Sequence, residues 1–197
     1  MYQSSYQLPV VVKNLLIINI LFFIGQQTFP NYLEYYLGLH SFYSEGFNIY
    51  QIITYAFLHG DLTHLFFNMF PVWMFGRVLE NTWGSKRFLN YYLLTAIGAG
   101  IVQLLVGDYY LTIGASGAVF GLLAAFGMLF PNTQLYLLFP PIPIKAKYFV
   151  IGYSIIELIA GVQAIEGDNI AHFAHLGGAI IGFFIIKYWQ KNRNHFY

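Results

Sequence analysis

Ser116 stands in Gly114-Ala115-Ser116-Gly117, and His175 in Ala174-His175-Leu176-Gly177-Gly178. A serine hydroxyl attacks a carbonyl carbon only when a base takes its proton, and neutral imidazole does this near neutral pH. His175 is therefore read as the base for a Ser116 nucleophile. The oxyanion of such a reaction needs preorganised donors, each worth about 10² to 10³ in rate. His64 and Asn68, at i and i+4 on one helical face, can supply them together with the Ser116 backbone N–H. Gly114 and Gly117 leave the backbone beside the serine bare for a substrate to approach.

Other chemistry is narrowed by what the chain lacks. It has no cysteine, which removes disulfides, thiolate catalysis and cysteine-ligated zinc. A zinc-dependent hydrolase using His59, His64, His172 and His175 is the rival within reach, although the chain has no His-Glu-x-x-His motif. His172 is expected to tune or pack near the site. His59 is about 140° from His64 on a helical wheel, which points to a structural role. Glu157 has two readings: a protonated hydrogen-bond partner for a neighbouring helix, which is favoured, or a group behind the histidines. Ser116 as a mere packing residue between glycines is the default for an arbitrary membrane serine, and the matching histidine argues against it.

The elements that must position these residues are membrane spans. Hydrophobic residues make up 58% of the chain and charged residues 9%, against the roughly 25% charged of soluble domains. No Lys/Arg block long enough to grip nucleic acid is present, so such partners are set aside. A helix needs roughly 20 residues to cross the hydrocarbon core. Six stretches qualify in a single domain over 1–197, approximately 10–28, 62–79, 88–106, 115–130, 148–165 and 170–188. The first is read as an uncleaved span, since no small-residue cleavage site precedes Pro30.

The fold class expected is an all-α membrane protein of six spans. Lys13, Arg77, Lys86, Arg87, Lys145, Lys147, Lys187, Lys191 and Arg193, all nine basic residues, fall on one side, and Glu34, Glu45, Asp61, Asp108, Glu166 and Asp168 fall in the opposite connections. Because basic loops stay cytoplasmic, both termini are expected there. Spans two, four and six then begin at the outer surface, with His64, Ser116 and His175 within about 12 Å of it. Gly117-x-x-x-Gly121 can face Gly178-x-x-x-Gly182, and that close approach is what a Ser116–His175 hydrogen bond requires.

Gly114-Ala115-Ser116-Gly117, His64-Leu65-Phe66-Phe67-Asn68 and Ala174-His175-Leu176-Gly177-Gly178 together resemble the rhomboid intramembrane proteases, in order, spacing and membrane side. The likeness extends over the six-span core, including His59 and the Gly76–Glu80 turn. It implies Ser116 as nucleophile, His175 as base and acid, His64 and Asn68 as oxyanion partners, and Phe120 as a ring stacked on the histidine. It implies no third catalytic carboxylate and neither metal nor organic cofactor. Expected partners are single-span membrane substrates and the bilayer, with a bacterial cytoplasmic membrane as the location. A non-catalytic rhomboid-like client binder is the other alternative, although such proteins typically lack the serine or histidine. One departure stands out: the frequent Trp-Arg of the first outer loop is Tyr50-Gln51 here, which leaves loop packing open.

Overall fold

A computed structural model describes residues 7–107, 111–136, 141–163 and 170–191. Asp108, Pro140, Ala164, Ile165, Glu166, the Gly167-Asp168-Asn169 turn and Arg193 lie outside the described residues. Helix α1 covers Val10–Thr28, the residues assigned to the first span. Its start follows Pro9 and has no local side-chain cap. The exposed N–H groups of that first turn are instead met by Glu80 from a distant helix. One Glu80 oxygen accepts from the Val11 N–H at 3.0 Å and the other from the Val12 N–H at 2.8 Å, while the Ser85 hydroxyl donates to the carboxylate at 2.6 Å. A buried anion at the positive end of a helix is favourable both as an acceptor and as a charge.

Short helices α2 (Tyr32–Leu37) and α3 (Gln51–Thr54) shape the first loop. Gln51, fully buried, organises that loop with one amide. It accepts from the His40 and Asn48 N–H groups and donates to the carbonyls of Tyr36 and Gly46. An amide both donates and accepts, so it closes the loop where the frequent arginine would only donate.

The second stretch is one helical run in three parts: α4 (Leu62–Pro71), a π turn (Val72–Gly76) and α5 (Arg77–Trp83). Pro71 has no N–H to donate back along the helix, and the wide turn follows it directly. Gly76–Glu80 is therefore helical and not a turn. The run passes the expected end at Leu79 and stops at Gly84, whose φ of 80° is in the left-handed region that glycine accepts.

Helices α6 (Ser85–Val106), α7 (Ser116–Leu129), α8 (Ala146–Gln163) and α9 (His172–Lys191) follow. Among the described residues, α1 and α6 are the two helices whose length and hydropathy alone suit a membrane crossing, where six crossings were expected. The π turn divides the second run, and α7, at 14 residues, rises only about 21 Å. Polar residues dilute the others, Glu157 in α8 and His172 and His175 in α9. Yet α7 is apolar all round and buried from Gly117 through Gly127, which makes it the centre of the packing, against α6, α8 and α9.

The all-α expectation also needs one correction. Between α7 and α8 lies an antiparallel hairpin, β1 (Gln134–Tyr136) paired with β2 (Pro143–Lys145). The prolines at 141 and 143 cannot continue a helix, and the backbone from Pro143 to Lys145 finds its partners in the ladder with Gln134–Tyr136.

At the end away from Ser116, the Trp83 ring meets Tyr91 and Trp189, and the Arg87 guanidinium lies 4.0 Å over Trp189. This aromatic and basic end suits a headgroup region. Because Glu80 joins α1 to the α5–α6 corner through charge-assisted bonds, Glu80→Ala should lower stability by on the order of 3 kcal/mol and Ser85→Ala by about 1 kcal/mol. Thermal unfolding in detergent checks the ranking; equal melting temperatures for Glu80→Ala and wild type would contradict it.

Candidate active site

The starts of α4, α7 and α9 meet at one end of the bundle. Helix α4 is capped by Asp61, whose Oδ1 accepts from the His64 N–H at 2.8 Å. The cap fixes the first turn and with it the His64 ring. That ring's Nδ1 accepts from the Gly60 N–H at 3.3 Å. A nitrogen that accepts is unprotonated, so neutral His64 carries its proton on Nε2.

Nε2 lies over Gly114, where a Cβ would come within 2.7 Å of it. Gly114 also has a φ of 122°, a conformation closed to ordinary side chains. Its N–H donates to the Tyr55 carbonyl at 2.9 Å, and Leu39 and Thr112 exchange backbone hydrogen bonds just before it. The Tyr55 hydroxyl in turn donates to the Ala96 carbonyl at 2.8 Å, so a buried tyrosine ties the pre-serine segment to α6. Ser116 is the first residue of α7 and is partly exposed. Its N–H belongs to the unpaired N-terminal set of the helix, beside the positive end of the dipole.

Helix α9 brings His175 to the same place. A Cβ on Gly178 would overlap the Gly117 carbonyl, and one on Gly182 would lie 3.1 Å from the Gly121 Cα and overlap the Tyr91 hydroxyl. The two glycine pairs therefore lie against each other, backbone to backbone. The buried His175 ring stacks on Phe120, centroids 4.4 Å apart and planes 9° from parallel. Phe120 is one turn beyond Ser116, so the stack holds the imidazole over the face of α7 that begins with the serine. Gln103 on α6 fixes the start of α9 by accepting from the Ala174 N–H at 3.1 Å.

The remaining polar residues are placed as follows. Asn68 is buried and uses its amide to donate to the His64 carbonyl at 2.9 Å, one turn back in its own helix. His59 precedes the Asp61 cap and is not helical, so the 140° wheel angle does not apply. It is fully buried, edge-on to His64 at 5.1 Å, and its backbone is gripped on both sides by Gln26 at the end of α1. Glu157 faces the histidines. One of its oxygens lies 2.6 Å from His172 Nδ1 and 2.9 Å from His175 Nδ1.

The four histidines of the zinc alternative do not form the metal-competent group among the described residues. That group is Glu157, His172 and His175. Its two short separations are those of hydrogen bonds, whereas ligand atoms around tetrahedral zinc stand about 3.3 Å apart given Zn–O and Zn–N near 2.0 Å.

Sequence reasoning did not assign Tyr55, Gln103 or Gln26, because each acts on backbone far away in the chain. Buried glutamines in apolar helices were the available signal, since such a group is rarely left without a partner.

Gly178→Ala should lower the melting temperature, because the methyl meets backbone that cannot give way. Gly152→Ala on α8, where a Cβ meets nothing within 4 Å, should be neutral or stabilising by up to about 1 kcal/mol. The reverse order would contradict the contact. His59 supplies a pH test. Burial, aided by nearby His64, pushes its imidazole down to about 3, against about 6.5 when unfolded. The folded state therefore binds fewer protons, and stability present above pH 6.5 is lost toward pH 3 at about 1.4 kcal/mol per pH unit. The melting temperature should fall from pH 7 to pH 5, and less so in His59→Phe; equal falls would contradict this assignment.

The Rhomboid domain profile matches residues 46–191, which contain His64, Asn68, Ser116, Phe120, Glu157, His172 and His175. The chain is 32% identical over 156 residues to "Rhomboid protein 1, mitochondrial" of Saccharomyces cerevisiae, 73% of this chain and 44% of that one. It is 33% identical over 163 residues to "RHOMBOID-like protein 6, mitochondrial" of Arabidopsis thaliana, 76% of this chain and 49% of that one. It is 25% identical over 159 residues to "Rhomboid-like protease 3" of Toxoplasma gondii, 74% of this chain and 54% of that one. The chain thus spans about half the length of the curated relatives it matches. With its helical bundle, apolar composition and convergent helix starts, the chain belongs to the rhomboid family of membrane proteins.

Proposed function

We propose that this chain is an intramembrane serine endopeptidase that cleaves single-span membrane proteins near the outer side of the membrane, with Ser116 as nucleophile and His175 as general base. The observation that carries the reading is the His175 ring lying flat on Phe120, one turn beyond Ser116, with the Gly178 backbone against the Gly117 carbonyl. The Toxoplasma relative, which is named a protease, agrees with it.

In this mechanism the Ser116 proton passes to His175 as the oxygen attacks the peptide carbonyl. His64 Nε2–H, the Ser116 N–H and an amide donor of Asn68, once released from the His64 carbonyl, receive the oxyanion. His175 then protonates the leaving amine, and water activated by the same base hydrolyses the acyl-enzyme. No metal or organic cofactor takes part.

The substrate enters from lipid between α4 and α8, whose Phe66, Phe67, Ile155 and Ile156 are exposed apolar side chains. A helical peptide bond is shielded from attack, so Gly or Pro and small residues near the cut favour cleavage. The six long helical runs, α1, α4 through α5, α6, α7, α8 and α9, cross the bilayer, with both termini on the basic side. That is the orientation of a multi-pass protein in a bacterial cytoplasmic membrane.

Purified protein in detergent should cleave a single-span reporter whether or not chelator is present. Ser116→Ala and His175→Ala should each lower the rate by about 10³-fold or more. Cleavage that survives Ser116→Ala would overturn the proposal. Sensitivity to chelator would favour a zinc hydrolase, and an inactive but client-retaining wild type would favour a binding protein.

A further inference from the structure

The resemblance to rhomboid proteases implied a serine and a histidine with no third carboxylate, yet a carboxylate sits on the far side of the histidine. Glu157 is buried in α8, 18 residues before His175, and its Oε2 is 2.9 Å from His175 Nδ1. The same oxygen is 2.6 Å from His172 Nδ1. With Glu157 ionised, its oxygen only accepts, and each imidazole nitrogen facing it then bears the proton. Neutral His175 protonated on Nδ1 has a bare Nε2, the nitrogen that a general base must present.

We propose that Glu157 is a positioning residue for His175, holding the imidazole in its Nδ1–H tautomer and supporting the imidazolium that forms during catalysis, with His172 anchoring the carboxylate. The inference rests on the reading of Ser116 and His175 as nucleophile and base. During attack the Ser116 Oγ–H bond breaks, its proton moves to His175 Nε2 and the Oγ–carbon bond forms. The Nδ1 proton stays on the ring, shared with Glu157. As the scissile C–N bond breaks, the Nε2 proton leaves with the amine, and the ring returns to its starting tautomer.

With Glu157 ionised, the histidines of the two helices are in opposite states. His64 accepts through Nδ1 from Gly60 and so offers Nε2–H as a donor, whereas His175 donates through Nδ1 to Glu157 and so offers Nε2 as a base. Identical side chains acquire different roles from the partner that each Nδ1 meets. His172 is the second donor to the Glu157 oxygen, which leaves that carboxylate less freedom to turn away from His175.

A merely structural Glu157, a strut between α8 and α9, would make other predictions. Reporter cleavage in detergent should be measured with wild type, Ser116→Ala, Glu157→Gln and Glu157→Asp. We expect Glu157→Gln to reduce kcat by tenfold to about 10⁴-fold with KM within about twofold, and Glu157→Asp to recover part of it. Unchanged kcat in Glu157→Gln, beside an inactive Ser116→Ala, would overturn this inference and leave the protease reading intact; an active Ser116→Ala would overturn that reading instead. The tautomer can be read without any change at Glu157. In protein carrying ¹⁵N-histidine, with the His175 signals assigned by their loss in His175→Ala, His175 should be protonated at Nδ1 and bare at Nε2. An Nε2–H tautomer would overturn the proposal whatever the variants do.

Discussion

The backbone contact between α7 and α9 is the constraint on which the rest of the site depends. At Gly178 even a methyl group would overlap the Gly117 carbonyl, so the helices approach as closely as backbones can. In a bilayer no hydrophobic force drives helices together, and such dispersion contacts between small residues take its place. The closeness has a chemical consequence. Serine is a short side chain, and a base on the next helix can reach it only if nothing larger than glycine separates the two. Thr95 and Tyr91 of α6 close on the same surface, the latter donating to the Gly121 carbonyl at 2.6 Å.

A second layer of fixed groups turns this proximity into orientation. Phe120 sets the plane of the His175 ring, Gln103 holds the first turn of α9, and Asp61 and Gly60 set the His64 ring. Tyr55 and Gly114 fix the backbone that enters the serine turn. Each group is buried or paired, so the site keeps its geometry. Preorganisation of this kind is where electrostatic catalysis gains its advantage, since little has to move as charge develops.

The parts of the site that repeat at three or four residues were legible in the sequence. His64 with Asn68, Ser116 with Phe120, and the glycine pairs all follow from helical periodicity. What the sequence left open depends on contacts between distant segments. Glu157 could be placed on a helix, but no pattern along α8 says that its carboxylate meets two Nδ1 atoms of α9. Glu80 stood in what was read as a turn, because the π turn after Pro71 that continues the helix has no periodic signature. Gln51 stood where a family departure was noticed, and only the folded loop reveals the amide as its organiser. The strand pair of Gln134–Tyr136 with Pro143–Lys145 was visible only as a proline run that could not be helical.

The central claim is that Ser116 is an activated nucleophile and His175 the base that activates it. Fluorophosphonate labelling of the purified protein in detergent, followed by peptide mass spectrometry, reads this directly, since the probe modifies a serine whose hydroxyl is being deprotonated. The account predicts a single adduct on the peptide carrying Ser116, lost in His175→Ala. An adduct on another serine, or none on a folded wild-type protein, would contradict it.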